Sequence, residues 1–235
     1  MAEPILELRN LNASYGDFQA LFGVEMAFLP GTVTAVIGAN GAGKSTLLRS
    51  ISGLLQNESQ HVIFDGESIG AKAPHLIARQ GIAMVPEGRQ LFQSLSVEEN
   101  LMLAADMKRP GPWTMEKVYA LFPVLGERRK QPSTSLSGGQ QQMVAIGRAL
   151  LANPTFLMFD EISLGLAPIV IREIYRALPA IVGEGMTAVL VEQDISQALA
   201  VCDYVYCMQE GQVSLSGIPS DLSREEITRA YFGAT

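Results

Sequence analysis

The sequence predicts an α/β fold with a mostly parallel sheet, and three observations predict it. Short apolar runs alternate with stretches of helical spacing along most of the 235 residues. A glycine-rich loop, GANGAGKST, stands directly between an apolar run and a helix pattern. Further on, the apolar run FLMF ends in two adjacent acids, Asp160 and Glu161.

The elements follow in order. ILEL, VEMAFL and VTAVIG are short apolar runs punctuated by turns, and each reads as a strand. LLRSISGLL after the glycine loop reads as a helix, and HVIF and GIAMV as strands. SVEENLMLAAD begins with Ser96 three residues before Glu99, the capping-box spacing, and reads as a helix. MEKVYALF and QQQMVAIGRALLA continue the helical pattern, so the segment from about 94 to 152 offers three helices and no convincing strand. It is expected to be a helical insertion within one domain spanning residues 1–235, with KRPGPW and RRKQPSTS as its internal loops. FLMFD, TAVLVE and YVYCM then read as strands, separated by the helices PIVIREIYRALPAIV and DISQALAV, with VSLSG as a late hairpin partner.

Composition narrows the class. Apolar residues make up 48% and charged residues 17%, which is a globular balance rather than a disordered one. The formal charge of −7 and the lack of a long Lys/Arg run argue against nucleic acid as a partner, because phosphate-backbone binding needs a positive footprint. No stretch approaches 18 consecutive apolar residues, and MAEPILELRNL has an early acid and no apolar signal core. The expectation is a cytoplasmic protein. Cys202 and Cys207 have no partner at metal spacing and are expected to be buried free thiols.

The glycine loop carries the most specific chemistry. Gly38, Gly43, Lys44 and Ser45 satisfy G-x-x-x-x-G-K-[ST], the P-loop pattern. Glycines let successive amides point at phosphate oxygens, and a helix N-terminus adds partial positive charge. The candidate phosphate-binding residues are therefore Gly38, Asn40, Gly41, Gly43, Lys44, Ser45 and Thr46. Lys44, expected in a solvated site, reaches the terminal phosphates, and the Ser45 hydroxyl is a hard ligand for Mg²⁺. Asp160, at the end of a buried strand, is the second candidate Mg²⁺ anchor, and Glu161 could take a proton from an attacking water. An alternative role for Glu161 is to cap the following turn.

LSGGQ, residues 136–140, has no acid, base or nucleophile. Ser137 and Gln140 have capping-box spacing, and the glycines expose amides where a helix begins, so the stretch reads as a capped helix or as an anion site.

GANGAGKST, LSGGQ and FLMFDE in this order resemble the ATP-binding subunits of ABC transporters, and the likeness runs the length of the chain. The resemblance implies a P-loop NTPase core with an N-terminal antiparallel β subdomain and an inserted α-helical subdomain. It implies ATP and Mg²⁺ as cofactors, and a head-to-tail pairing with a second ABC ATPase. Ser137, Gly138, Gly139 and Gln140 would then hold the γ-phosphate bound by the other subunit. Tyr15 matches the aromatic that stacks on adenine, and Ser163 to Leu166 match the loop that crosses the dimer interface. Glu87, in VPEGR, falls where most members carry a glutamine, and Gln193, in VEQD, where most carry a histidine. Glu87 is a candidate Mg²⁺ ligand or only a loop-shaping residue; Gln193 is a candidate catalytic residue that donates an amide hydrogen bond without titrating.

VPEGR, VEQ and the SLGLAP stretch are similar to the branched-chain amino acid uptake branch, of the LivF type. Ile162, where the family usually has proline, and NESQH, which lacks a usual glycine, depart from it. The implied partners are integral-membrane permease subunits and, indirectly, a periplasmic or extracellular solute-binding protein, with the chain peripheral on the inner face of the membrane. Alternatives are urea or amide uptake, lipid export, or a non-transport ABC ATPase.

Overall fold

The computed structural model describes residues 3–105 and 109–233; Asp106 of the expected SVEENLMLAAD helix and Lys108 of the expected KRPGPW loop lie outside them. The chain opens with an antiparallel pair, β1 (Leu6–Tyr15) and β2 (Phe18–Phe28), joined by the two-residue turn Gly16-Asp17. β3 (Val33–Ile37) is buried at every position and runs through the glycine loop into α1 (Lys44–Ile51). β4 (Val62–Phe64) pairs back onto β1, and the two-residue β5 (Glu67–Ser68) onto β4. α2 (Pro74–Gln80) leads into β6 (Ile82–Val85). Then come α3 (Val97–Ala105), α4 (Met115–Leu121), α5 (Pro123–Glu127) and α6 (Gly138–Leu151). β7 (Phe156–Asp160), α7 (Pro168–Gly183), β8 (Thr187–Glu192), α8 (Ile195–Leu199), β9 (Tyr204–Gln209), β10 (Gln212–Gly217) and α9 (Arg224–Phe232) complete the chain.

Two sheets result. One is antiparallel, in the order β2-β1-β4-β5; the other has the order β10-β9-β3-β8-β7-β6 and is parallel except for its edge strand β10. The expected α/β architecture, mostly parallel sheet with an N-terminal antiparallel one, is the one observed. Strands β7 and β8 are buried throughout, so they read as continuous apolar runs rather than alternating ones. The sheets meet through Phe28 and Phe156, whose rings pack edge-on with centroids 5.5 Å apart. Tyr206 locks the same contact: its hydroxyl donates to the Ala27 carbonyl at 3.1 Å and accepts from the Ala27 amide at 3.0 Å.

A second core forms where α6 lays Met143, Ile146 and Leu150 against the sheet and the neighbouring helices. Gly147 lets α3 and α4 come close, since a Cβ there would lie 2.8 Å from Val118 and 2.9 Å from Leu101. Ile162 is 2% exposed and belongs to this core, which accounts for an aliphatic residue in place of proline.

The structure departs from expectation in three helices. α2 and α5 are short and start at prolines that break the apolar pattern, yet Pro is well placed at a first helical position. Among the described residues, the stretch from α3 to α6 therefore holds four α-helices, not three. α9 has a full capping box between Ser223 and Glu226 but buries only Ile227 completely, so its periodicity is weak. Cys207 is buried as expected, whereas Cys202 is only half-buried; both are free thiols.

Candidate functional site

The parallel register builds the site. β8 lies between β3 and β7, with Ile37 opposite Glu192 and Asp160 opposite Val191. The carboxyl ends of the three strands thus deliver the glycine loop, Asp160-Glu161 and Glu192-Gln193 side by side, the edge at which open α/β sheets bind ligands. Above it is a cleft of about 940 Å³ lined by Tyr15, Asn40, Gly41, Gly43, Lys44, Ser45, Thr46, Glu87, Glu161 and Gln193.

The loop's glycines have distinct reasons. A Cβ on Gly38 would sit 2.4 Å from the Met208 carbonyl, so β9 itself excludes a side chain. Gly43 lies at φ +100° with a Cβ position 2.7 Å from Leu21, so it is required by both backbone and space. As the residue entering α1, Gly43 supplies no side-chain cap, and the first-turn residues Lys44, Ser45 and Thr46 line the cleft. An uncapped helix start beside a cleft is an anion-binding arrangement.

Lys44 is 4% exposed, which corrects the expectation of a solvated lysine. Its ammonium donates to the carbonyls of Gly38 at 2.8 Å and Ala39 at 3.1 Å, and pairs with Glu161 Oε1 at 3.2 Å. The second oxygen of Glu161 accepts from the Gln193 amide at 2.5 Å. Glu161 holds φ +47°, an uncommon backbone for a glutamate, with its amide donating to the Val191 carbonyl at 2.9 Å. Its carboxylate does not cap the next turn; the Glu161 carbonyl serves that turn, accepting from Leu164 N–H at 3.2 Å.

Asp160 is 8% exposed and accepts one long hydrogen bond, from Ser45 Oγ at 3.4 Å. Burial, reinforced by the charges of Glu161 and Glu87, pushes its pKa up to about 6, against the opposing pull of Ser45 and Lys44. Glu87 is exposed at the cleft and opens a loop in which Gly88, Arg89 and Gln90 all have positive φ. Arg148 of α6 ties that loop down, donating to the Gln90 carbonyl at 3.0 Å and the Arg89 carbonyl at 3.3 Å.

Ser137 to Gln140 are not among the residues lining the cleft of their own chain. The capping box is present: Ser137 N–H donates to Gln140 Oε1 at 3.1 Å, and Gln140 N–H to Ser137 Oγ at 3.3 Å. The two glycines are tighter than an exposed-amide reading expects. Gly139 is buried, and a Cβ there would lie 2.4 Å from Val170; at Gly138 it would lie 3.0 Å from the Arg89 guanidinium.

Tyr15 ends β1 at the cleft, 41% exposed, with its hydroxyl accepting from Arg49 at 3.3 Å. Sequence reasoning missed its neighbours Phe18 and Phe22, and the Glu210-Gly211 turn between β9 and β10. Gly211 is clamped there, its amide donating to the Ala42 carbonyl and its own carbonyl accepting from Phe22 N–H. It also missed Glu192, whose signal was available: TAVLVE ends an apolar run in an acid just as FLMFD does.

The ABC transporter family pattern matches residues 21–163. A high-affinity branched-chain amino acid transport ATP-binding protein, BraG, from Pseudomonas aeruginosa is 40% identical, covering 97% of this chain and all of that one. A probable branched-chain amino acid transport ATP-binding protein, LivF, from Archaeoglobus fulgidus is 36% identical over 94% of this chain and 95% of its own. Among solved structures, a dimeric ATP-binding cassette in a post-hydrolysis state bound to ADP and phosphate superposes with a TM-score of 0.80. It is 26% identical and covers 91% of this chain and 98% of that chain.

Proposed function

Since the chain belongs to the ABC transporter family as one of its ATP-binding ATPases, we propose that it powers uptake of branched-chain or related amino acids through a membrane permease. What supports the hydrolytic chemistry is the convergence of Lys44, Ser45, Asp160, Glu161 and Gln193 at three adjacent strand ends. What supports the solute is the likeness to the Pseudomonas and Archaeoglobus proteins along nearly the whole chain.

In this reading the amides from Asn40 to Thr46 and the α1 N-terminus hold the phosphates of ATP, and Lys44 exchanges loop carbonyls for phosphate oxygens. Tyr15 stacks on the base. Glu161 orients and deprotonates the attacking water, and Gln193 holds Glu161 and reaches the γ-phosphate.

Mg²⁺ fits the residues present. Asp160 is a nearly buried carboxylate with one weak donor, Ser45 Oγ stands 3.4 Å from it, and Glu87 is close enough to raise its pKa. Among the described residues no three His, Cys, Asp or Glu side chains could hold a metal alone, which suits a cation that keeps its waters and takes phosphate oxygens. Ser45, Asp160 and Glu87 would hold it, and it would offset charge on the phosphates.

The anion site at Ser137 to Gln140 serves a second cassette, because it stands apart from its own chain's cleft. The partners are then that cassette, permease subunits and, through them, a solute-binding protein, with this chain on the cytoplasmic face. The test is to purify the native complex from membranes, identify its chains and reconstitute it in vesicles. ATP-dependent uptake of leucine or isoleucine is expected; hydrolysis coupled to another solute would overturn the amino acid reading.

A further inference from the structure

Glu192 is 2% exposed and closes β8, yet it stands outside the residues lining the nucleotide cleft. Burying a carboxylate is costly, and an apolar side chain at the end of TAVLV would be cheaper. Both of its oxygens are engaged. Oε2 accepts from Ser163 Oγ at 2.7 Å, and Oε1 accepts from Tyr175 Oη at 2.7 Å and from Ser163 N–H at 3.3 Å. Tyr175 comes from the buried face of α7, so the carboxylate joins three elements: β8, α7 and the loop after β7.

Apart from Leu166, which packs partly buried against the core, the loop it holds is lightly attached. Ile162 anchors the chain in the core, but Leu164 is 55% exposed and Gly165, at φ +71°, has open space around it. Only the turn bonds Leu164 N–H to Glu161 carbonyl and Leu166 N–H to Ser163 carbonyl shape the segment from within. On the cleft side the same two strand ends are bridged twice more, by Glu161 N–H to the Val191 carbonyl and by Gln193 to Glu161. Residues 161–163 and 191–193 therefore form three successive links where β7 and β8 end, one facing the nucleotide and one facing the exposed loop.

We propose that Glu192 is a positioning residue that fixes Ser163, and through it the segment 163–166, to the end of β8, directly before Gln193. The state of the Glu161–Gln193 pair is thereby passed to the surface that meets the second cassette. This rests on the proposed reading of the site as a two-cassette ATPase.

The experiment is steady-state ATP hydrolysis by the intact complex carrying variants of this chain. Ser163→Ala, at a half-buried position, keeps the fold and removes the main donor; kcat is expected to fall by about tenfold, the worth of a hydrogen bond to a buried charge, while KM for ATP stays within about twofold. Glu192→Ala should fall at least as far, and adding Ser163→Ala to it should cost nothing more, because both remove one linkage. Glu192→Gln should recover most of the rate: its amide oxygen can accept from Tyr175 and Ser163 N–H while its NH₂ donates to Ser163 Oγ. Wild-type kcat in folded Ser163→Ala, additive losses, or a Gln variant as slow as Ala would each overturn the positioning role. Should Glu192→Ala not fold, Ser163→Ala and Glu192→Gln decide alone. A wild-type complex without ATPase activity would instead remove the reading of the site itself.

Discussion

Lys44 is a cation with its protons engaged by two loop carbonyls and Glu161, in a place where only 4% of it meets solvent. Lys44→Ala therefore has two effects. ATP affinity should drop by at least about tenfold, the value of one charge-assisted hydrogen bond to phosphate. The nucleotide-free protein should also lose stability, because Glu161 keeps Gln193 but no cation. Nucleotide titration beside thermal unfolding checks both, and wild-type affinity in the folded variant would contradict the P-loop assignment. Asp160 acts in the opposite sense. Its pKa is raised by burial to about 6, so between about pH 4 and 6 the native state keeps a proton that the unfolded chain has already released. That contribution is present below about pH 4, and is lost as pH rises through about 6. Asp160→Asn should stabilise the nucleotide-free protein at pH 7 to 8 by on the order of 1 kcal/mol after solvent screening, with no gain near pH 4. Melting temperatures across that range measure the difference. Loss of stabilisation by Mg²⁺ and ATP in the same variant is the expected companion result.

At the scale of elements, two helix starts carry glycines for different reasons. α1 enters from Gly43 without a side-chain cap, leaving its first turn to a ligand. α6 closes its own first turn with the Ser137–Gln140 capping box, and its glycines sit tight against Val170 and Arg89. Capping and anion binding are compatible at α6, since the Ser137 hydroxyl accepts from Gln140 and still has its own proton to donate. Glu161→Gln keeps the shape of the cleft and removes the base, so uncleaved ATP should hold two cassettes together. Adding Ser137→Arg places a bulky side chain at an exposed helix start; it should cost about 1 kcal/mol for the lost cap, leave P-loop binding intact and abolish pairing. Light scattering with ATP, with and without the partner ATPase, distinguishes these outcomes. A Glu161→Gln protein that stays monomeric in both, or a double variant that still pairs, would leave the pentapeptide as a helix cap alone.

At the scale of the molecule, no helix among the described residues is long and apolar enough to cross a membrane. In the proposed function, coupling to a permease runs through protein contact. The loop from Glu87 offers one surface: Phe92 is 54% exposed, and its backbone is bonded to Asn100 of α3, a helix that also carries exposed Met102 and Leu103. Single cysteines near Glu87 and Leu91, in a chain with half-buried Cys202 replaced by serine, should crosslink to a multispanning protein in membranes. Crosslinks confined to proteins without membrane spans would reject this face.

The strand runs, the longer helices and the P-loop were legible in the sequence because each is a local pattern: FLMFD and TAVLVE are buried on both faces, and GANGAGKST needs glycine at fixed offsets. The capping boxes at Ser96 and Ser137 were legible for the same reason, since both partners lie within one turn. The short, proline-led α2 and α5 were not, because seven and five residues hold too little periodicity to register. Neither were the burial of Lys44, the embrace of Ser163 and Tyr175 by Glu192, nor the docking of Gly211 on the glycine loop. Those contacts join residues up to 169 positions apart, as Ala42 and Gly211 do, and they exist only once the order β9-β3-β8-β7 sets the strand ends side by side. Residue spacing along the chain selects the chemistry available, but which oxygen faces which proton is decided by strand order and register, and these are properties of the whole sheet.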